Sequence, residues 1–561
     1  MTKMSGAQMV VKSLEAEGVK TMFGLPGGTV IHLYDAIYDS KINHVLMRHE
    51  QAASHAADGY ARASGEVGVC IATSGPGATN LVTGIATAQI DSVPMVAITG
   101  QVATSAIGSD AFQEADITGI TLPIVKHSMQ VRSPEQIAPA IKKAFYIAST
   151  GRQGVVLVDV PADVQKAAGD FIYPDEVEAM PGYDPKKNID LGQLDKAVAM
   201  LESAHRPVIF AGGGVIRAGA SKKLTDFAEK YEIPVITSLL GKGAIPESHP
   251  LGLSLGMAGM HGHPVANRAI LAADLIITVG ARFSDRSTGR RNRFATEADI
   301  IHIDLDPAEI GKAIGSDVFL IGDAGFVLDA LHKSMKKRSF DRSAWLEDIR
   351  QMREREPMPK NDIEGTISPW QVIETLREVT GGNSVLTTEV GQHQMWAAQY
   401  FRVEEPRRFL TSGGLGTMGY GFPAAIGAAC ACPKQPVCCI AGDGSFMMNI
   451  QELDTCARYN IPVKVFILNN SCLGMVRQWQ QLFYDHRYSN TLYNRNPDFA
   501  KIAEGMGVAA YTVAEPGAVK KTIEQALEVP GPALVDFRIP QGALVLPMVP
   551  AGGALDEMIL R

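Results

Sequence analysis

The sequence predicts an α/β protein built from three doubly wound parallel-sheet units, and three observations carry that expectation. Short β-branched apolar runs alternate with helical patterns along the whole chain. The 561 residues suffice for three or more domains. Two stretches, 166–190 and 333–367, lose the alternation and gain proline, glycine or charge, which divides the chain into three blocks of similar size.

The first block, 1–165, contains the runs HVLM (44–47), GVCIAT (68–73), PMVAITG (94–100) and GVVLVDV (154–160). Unbroken apolar runs of this length suit strands buried on both faces of a parallel sheet. Between them lie helical patterns such as EQAASHAADGYARASG and ATNLVTGIATAQID, which implies right-handed crossovers. Residues 166–190 read as a linker. The second block, 191–332, has strands at PVIFAGGG (207–214), PVITSLL (234–240), LIITVGA (275–281) and IIHIDLD (300–306). The charge-rich stretch 333–367 reads as an exposed helix plus connector. The third block, 368–545, has strands at SVLTTEV, PVCCIAG, VKVFILNN and PALVDF, and a tail follows at 546–561.

Composition narrows the function classes. With 52 Lys+Arg against 60 Asp+Glu the formal charge is −8, and no basic block is present, which argues against nucleic acid or an anionic membrane as partner. Seven cysteines, an odd number in so long a chain, give no disulfide framework and suit a reducing compartment. The first 20 residues carry Glu15 and Glu17 where a signal peptide is apolar, and the uncharged tail is broken by Pro547 and Pro550. The expectation is a cytoplasmic protein without a membrane span.

The strongest local signal is AGDGSFMMNIQELDTCARYNIPVKVFILNN, residues 441–470. Strand Val437–Ala441 leads into Gly442-Asp443-Gly444, a helix is expected over Phe446–Tyr459, and strand Val463–Leu468 ends at Asn469-Asn470. A right-handed crossover makes the two strands parallel, so Asp443 and Asn470 emerge on the carboxyl edge where ligands bind in open α/β sheets. One carboxylate and one amide oxygen suit Mg2+, which fills its sphere with phosphate and water. Gly442 and Gly444 admit a phosphate to the backbone, and the next helix points N–H groups toward it. Taken alone, a Gly-Asp-Gly turn and an Asn cap explain the same residues; the pairing of the two at strand ends favours the ligand reading.

GDG followed after 24 residues by NN resembles the signature of the thiamine-diphosphate (ThDP) enzymes. The resemblance implies that Asp443 and Asn470, with a backbone carbonyl at Cys472, bind Mg2+, which holds the cofactor's diphosphate. It also implies a glutamate in the first block facing the aminopyrimidine ring, and His49-Glu50-Gln51 after strand HVLMR matches that motif, making Glu50 the candidate. Two other readings of Glu50 exist. It is also a helix N-terminal acid, and the zinc alternative with His49 and His55 is rejected because an i,i+6 offset does not put two histidines on one helix face.

In the same way FLTSGGLGTMGYGFPAAIGA (409–428) resembles the segment that carries a bulky residue beneath the cofactor, here Met418, although a core methionine is the ordinary explanation. Val390, Gln392 and His393 in VGQHQ match contacts to ThDP, as do Gly27 in FGLPGG and Ser445 beside Gly444.

The middle block narrows the resemblance. Gly212-Gly213-Gly214 after strand PVIFA is by itself a weak dinucleotide hint. LGMAGMHG (255–262), GARFSDRSTG (280–289), HIDLDP (302–307) and GDA (322–324) are similar, in order, to the FAD-binding segments of the acetohydroxyacid synthase (acetolactate synthase) catalytic-subunit family. By that resemblance Arg152, Gly212, Gly213, Gly214, Met260, His261, Gly280, Arg282, Asp304 and Asp323 bind FAD. Arg286 would bind the carboxylate of an acceptor 2-ketoacid, as a bidentate arginine suits. Phe112, Gln113, Met260 and Trp479 would line the acceptor pocket, with Gln113 among the catalytic residues beside Glu50 and Met418. An apolar slot there can favour an extra methylene by about 1–3 kcal/mol, which is how 2-ketobutyrate would be preferred over pyruvate.

The implied reaction decarboxylates pyruvate and joins the remaining two carbons to a second pyruvate or to 2-ketobutyrate, in branched-chain amino-acid biosynthesis. The family further implies a homodimer or homotetramer with shared sites and a separate small regulatory subunit. The chain departs from the family at Ala162, where a lysine is usual in DVPKD, and at Leu25, Ser284 and Ala551; none removes a ligand named above. The alternatives are a flavin-dependent pyruvate oxidase, a FAD-free catabolic acetolactate synthase, a non-catalytic nucleotide sensor, or an NAD-dependent dehydrogenase. The last is disfavoured because no clean GxGxxG follows a first strand. Cys430, Cys432, Cys438 and Cys439 lack metal-ligand spacing and read as small buried residues.

Overall fold

A computed structural model describes residues 2–185, 189–336 and 339–561. The N-terminal unit opens with β1 (Thr2–Ser5), continues through β2 (Thr21–Gly24), β3 (Asn43–Leu46), β4 (Gly68–Ala72), β5 (Met95–Gln101), β6 (His127–Gln130) and β7 (Val155–Pro161), and closes with β8 (Ala168–Phe171). The central unit contributes β9 (Pro207–Ala211), β10 (Val235–Thr237), β11 (Ser254–Met257), β12 (Leu275–Val279), β13 (Asp299–Asp304) and β14 (Val318–Ile321). The C-terminal unit contributes β15 (Val385–Thr388), β16 (Phe409–Leu410), β17 (Val437–Gly442), β18 (Val463–Asn469), β19 (Ala509–Val513) and β20 (Ala533–Arg538).

Each unit forms one six-stranded parallel sheet flanked by helices, as expected for the three-unit α/β class. The orders are β3-β2-β4-β5-β7-β6, β11-β10-β9-β12-β13-β14 and β16-β15-β17-β18-β20-β19. The outer two units therefore share one topology, and the central unit has the other common doubly wound order. The outer sheets reverse at their β7/β6 and β20/β19 ends, and in each sheet the strand order switches direction beside the first strand, at β2/β4, β9/β12 and β15/β17. Those points place the candidate site.

The N- and C-terminal units share a continuous apolar core, joined where helix Glu50–Ser64 crosses helix Gly421–Ala431. The crossing is made of alanine and glycine, which lets the two backbones touch: a Cβ on Gly59 would overlap the Ala424 carbonyl, and one on Gly427 the Ala56 carbonyl. Side chains bridge the same seam, as when Tyr420 donates to Asp58 Oδ1 at 2.6 Å.

Three sequence expectations change. The linker 166–190 is not structureless, because β8 pairs antiparallel with β1 and ties it to the start of the chain. The connector 333–367, which like the linker falls partly outside the described residues, holds helix Ser343–Arg355. That helix is not wholly exposed: Trp345 and Ile349 are buried, and the Trp345 indole donates to the Pro207 carbonyl at 3.1 Å. The helix expected over Phe446–Tyr459 breaks into Asp443–Phe446 and Glu452–Tyr459. The break turns Asn449 inward to donate to the Gly419 carbonyl at 2.6 Å. Among the described residues no helix is long and apolar enough to cross a membrane, and the seven cysteines are unpaired.

Candidate active site

β17 and β18 are hydrogen-bonded neighbours, with Gly442 paired to Leu468, so Asp443 and Asn470 leave the same sheet edge side by side. Asp443 is buried, and its Oδ2 accepts from Asn496 Nδ2 at 2.6 Å. Burial pushes its carboxyl up to about 6, against the pull of Asn496 and of nearby backbone N–H groups. Asn470 donates through Nδ2 to Gln392 Oε1 at 2.9 Å, which leaves its Oδ1 for another partner. Together with the Cys472 carbonyl this is an all-oxygen donor set suited to Mg2+.

These residues line a cavity of about 1160 Å³ that runs from the C-terminal unit into the central one. Of the residues assigned to ThDP, Val390, Gln392, His393, Met418, Gly442, Gly444 and Ser445 line it, with Asp443, Asn470 and Cys472. His393 is buried, burial holds its imidazole neutral with a pKa lowered to about 3, and its Nε2 has no protein partner among the described residues. An orphan ring nitrogen inside a polar cavity fits a bound cofactor. Ser445 spends its hydroxyl on Glu389 Oε2 at 2.7 Å, so only its backbone is offered to a phosphate.

The central unit meets the cavity at its own order reversal. Gly213 and Gly214 follow β9, Gly280 follows β12, and all three line the cavity. A Cβ on Gly214 would stand 2.7 Å from the Gly280 Cα, so the two turns close over each other without side chains. Such a cradle fits an extended dinucleotide. Met260, His261, Arg282, Asp304 and Asp323 line the same space.

Two of the flavin assignments carry structural work as well. Arg152 reaches the cavity, but its guanidinium bonds Asp306 at 3.0 Å and Glu309 at 2.7 Å, and its Nε bonds Ser92. Asp323 caps helix Ala324–Ser334 by accepting from Gly325 and Phe326. Gly212 is not on the cavity; it packs beneath it against Gly280.

At the mouth, Arg286 Nη1 lies 3.2 Å from Met260 Sδ and its guanidinium stands 5.7 Å from the Trp479 ring centroid. The half-exposed guanidinium has a single carboxylate nearby among the described residues, Asp285 at 3.8 Å. A cation with free donors between an aromatic and a thioether suits a small carboxylate carrying an apolar group.

Four assigned residues are elsewhere. Glu50, Gly27, Phe112 and Gln113 do not line this cavity within the chain. They gather instead at the carboxyl edge of the N-terminal sheet around loop 73–77. Glu50 is buried, accepts from Asn80 Nδ2 at 3.0 Å, and lies against Gly77. Gly27 packs on Thr73, and the Gln113 backbone, in a left-handed conformation with φ 60°, closes on Gly75. Phe112 is 88 % exposed. Within the chain the candidate residues therefore fall into two clusters, one at the edge of each outer sheet.

Sequence reasoning passed over several residues that hold the site. Buried Glu389, at the end of β15, accepts from Gly419 N, Phe422 N and the Ser445 hydroxyl and so fixes the turn that presents Met418. Asn496 joins Asp443 to Asn469. Asp91 accepts from Arg62 and from the N–H groups of Gly413 and Gly414, tying the cavity wall to the N-terminal unit. An acid at the end of the apolar run SVLTTEV was a readable signal for Glu389; Asn496 and Asp91 lie in loops with no pattern.

All three units match models of one family: "Thiamine pyrophosphate enzyme, N-terminal TPP binding domain" over residues 4–120, its central domain over 194–331, and its C-terminal TPP binding domain over 389–537. The fold and the site thus define a thiamine pyrophosphate enzyme. Curated relatives narrow this further. The acetolactate synthase large subunit of Corynebacterium glutamicum is 49% identical over 99% of this chain and 90% of its own length. That of Haemophilus influenzae is 46% identical over 100% and 99%, and that of Parasynechococcus marenigrum 47% over 99% and 91%. The chain belongs to the acetolactate synthase large-subunit family.

Proposed function

We propose that the chain is a ThDP-, Mg2+- and FAD-dependent carboligase. It decarboxylates pyruvate and joins the two-carbon remainder to a second pyruvate or to 2-ketobutyrate, the first common step toward branched-chain amino acids. The observation that supports this most is one cavity lined by the Asp443–Asn470 oxygen set, by the glycine turns of the central unit and by the Met260–Arg286–Trp479 mouth. ThDP, when bound, supplies the electron sink for the carbon that loses CO2.

Asp443, Asn470 and the Cys472 carbonyl would hold Mg2+, and His393, Met418 and the backbone at Gly442, Gly444 and Ser445 would hold ThDP. Gly213, Gly214, Gly280, Arg282 and Asp304 hold the flavin. Arg286 fixes the acceptor carboxylate, and Met260 and Trp479 favour the longer acceptor by packing on its extra methylene.

The proton-handling half comes from a second copy. Glu50 of the partner subunit would face the aminopyrimidine as the proton-handling carboxylate, and Phe112 and Gln113 of the partner subunit would close the acceptor pocket. Exposed Phe112, Ile31 and Leu122 on the N-terminal unit, with Met447 and Met448 on the C-terminal one, are the kind of surface a second chain buries. The assembly is a homodimer or homotetramer, located in the cytoplasm. The relatives named as large subunits suggest a separate small subunit for regulation.

The test is an assay with pyruvate, ThDP, Mg2+ and FAD that measures acetolactate and peroxide together, with bound flavin quantified and 2-ketobutyrate added as competitor. Acetolactate without peroxide, at stoichiometric flavin, is expected. Peroxide formed in step with pyruvate consumed would make the protein a pyruvate oxidase; acetolactate formed without bound flavin would make it the catabolic type.

A further inference from the structure

Asn470 meets the cation site through an amide whose two ends differ: Oδ1 can ligate a cation and Nδ2 cannot. A relay of buried side chains sets which end faces the site. Val545 N–H donates to Gln478 Oε1 at 2.8 Å, and Gln478 Nε2 donates back to the Val545 carbonyl at 3.0 Å. Two opposed bonds to one backbone residue admit a single orientation of the Gln478 amide. Its Oε1 then accepts from Gln392 Nε2 at 2.9 Å, and the second hydrogen of that nitrogen goes to the Ala543 carbonyl, also at 2.9 Å. Gln392 Oε1 is thereby turned to Asn470 Nδ2.

Gln478 is 0% exposed, Gln392 3% and Asn470 6%, so the relay is screened from bulk water. Gly474 leaves room for it: a Cβ there would overlap Gln392 Oε1 and stand 2.7 Å from Asn470 Nδ2. A flipped Asn470 would set oxygen against oxygen at Gln392, and burial makes that costly.

We propose that Gln478 is a positioning residue which, through Gln392, holds the Asn470 amide with its oxygen toward a divalent cation. The C-terminal segment at Val545 thereby sets the affinity of a site it does not touch. The inference rests on the reading of Asp443 and Asn470 as cation ligands.

The test uses Mn2+ as the probe, titrated by loss of its free-ion EPR signal into the full-length protein with saturating ThDP and FAD. Gln478→Met removes both ends of the amide, and the Mn2+ Kd is expected to rise about 10- to 100-fold. Gln478→Glu, protonated so that its O–H takes the place of Nε2 toward the Val545 carbonyl, keeps an acceptor for Val545 N–H and Gln392 Nε2, so the Kd is expected to rise by no more than about threefold. The decisive arm is Asn470→Asp. A carboxylate has two equivalent oxygens and needs no orienting, and the intact relay now sets Gln392 Oε1 against it. Releasing Gln392 lets its Nε2 swing round to donate, so in the Asn470→Asp background Gln478→Met is expected to leave Mn2+ affinity unchanged or to tighten it.

If Gln478→Met weakens Mn2+ in both backgrounds, Gln478 merely packs the core and the proposal is overturned; no loss in the wild type overturns it as well. Should Gln478→Met not fold, Gln478→Leu carries the same cycle, since it too removes both ends of the amide and leaves Gln392 in place. Wild-type protein that binds no Mn2+ would defeat the cation reading itself, whereas wild-type binding with a failed cycle defeats this inference alone.

Discussion

The N- and C-terminal units run their six strands in the same order, yet the carboxyl edges of the two sheets hold different chemistry. At the C-terminal edge a carboxylate, an amide oxygen and an imidazole whose Nε2 has no partner among the described residues open into one large cavity. At the N-terminal edge the buried carboxylate of Glu50 accepts from Asn80, and Phe112 is exposed. One edge opens its oxygen donors into a cavity, and the other holds its carboxylate against an amide. The same scaffold thus presents different side chains at the corresponding edges of its two outer sheets.

The comparison breaks most visibly at the anchor. Asp443→Asn leaves the donor set one charge short, and acetolactate formation is expected to fall on the order of 10³-fold, beyond the effect usual for groups outside the ligand set. Calorimetric titration checks the cause: Mg2+-dependent ThDP binding should be lost with the activity. Persistence of both would remove Asp443 from the cation site.

At the other edge, Glu50→Gln keeps the Asn80 contact and removes the ionisable group. Turnover is expected to fall about 10²-fold, the lower end for general acid–base groups, with ThDP affinity nearly unchanged. Mixing the two inactive proteins sharpens the contrast. If each site is shared, a mixed dimer regains one intact site of two, and random exchange restores roughly a quarter of wild-type activity. Complete absence of recovery after verified subunit exchange would place both halves in one chain.

The seam between the units is the next target. Gly427→Ala drives a methyl group into the Ala56 carbonyl at the helix crossing. A loss of about 2 kcal/mol in denaturant stability is expected, typical of overpacking. A wild-type unfolding midpoint would mean that the crossing has slack.

How much of this was readable depended on burial. Strands β4, β5, β7, β9, β12, β17, β18 and β20 are almost wholly buried and show in the sequence as mainly apolar runs. Edge strands β6 and β19 are half-exposed, and their mixed sequences HSMQ and AAYTV carry no such signal. Four-residue β2 is fully buried but too short for a period to emerge. In the site, Asp443 and Asn470 were legible because each directly follows an inner strand. Gln478 and Gln392 were not legible as a relay, since their bonds are to each other and to Ala543 and Val545, far along the chain. The broken helix after Asp443 escaped notice for the same reason: the bond that breaks it runs from Asn449 to Gly419.

The smallest expected effect is a pH dependence at the point where the C-terminal unit grips the segment leading to Glu50. Buried Glu452 accepts from the Arg48 N–H through both carboxyl oxygens, each at 3.1 Å, and from the Thr455 hydroxyl at 2.7 Å. Burial, opposed by those bonds, pushes its pKa from the ordinary 4.5 up to about 7. The folded state therefore holds this proton more tightly than the unfolded chain does. The stabilisation it gives is fully present below pH 4.5 and is lost as pH rises through about 7. Glu452→Gln has no proton to lose. The stability of the variant relative to wild type is expected to improve by about 2 kcal/mol between pH 5 and pH 8, less than the full shift because part of the titration lies outside that range. Urea unfolding of both proteins at the two pH values measures it; an identical difference at both would show that Glu452 stays ionised in the folded chain, held by Arg48 at no cost from burial.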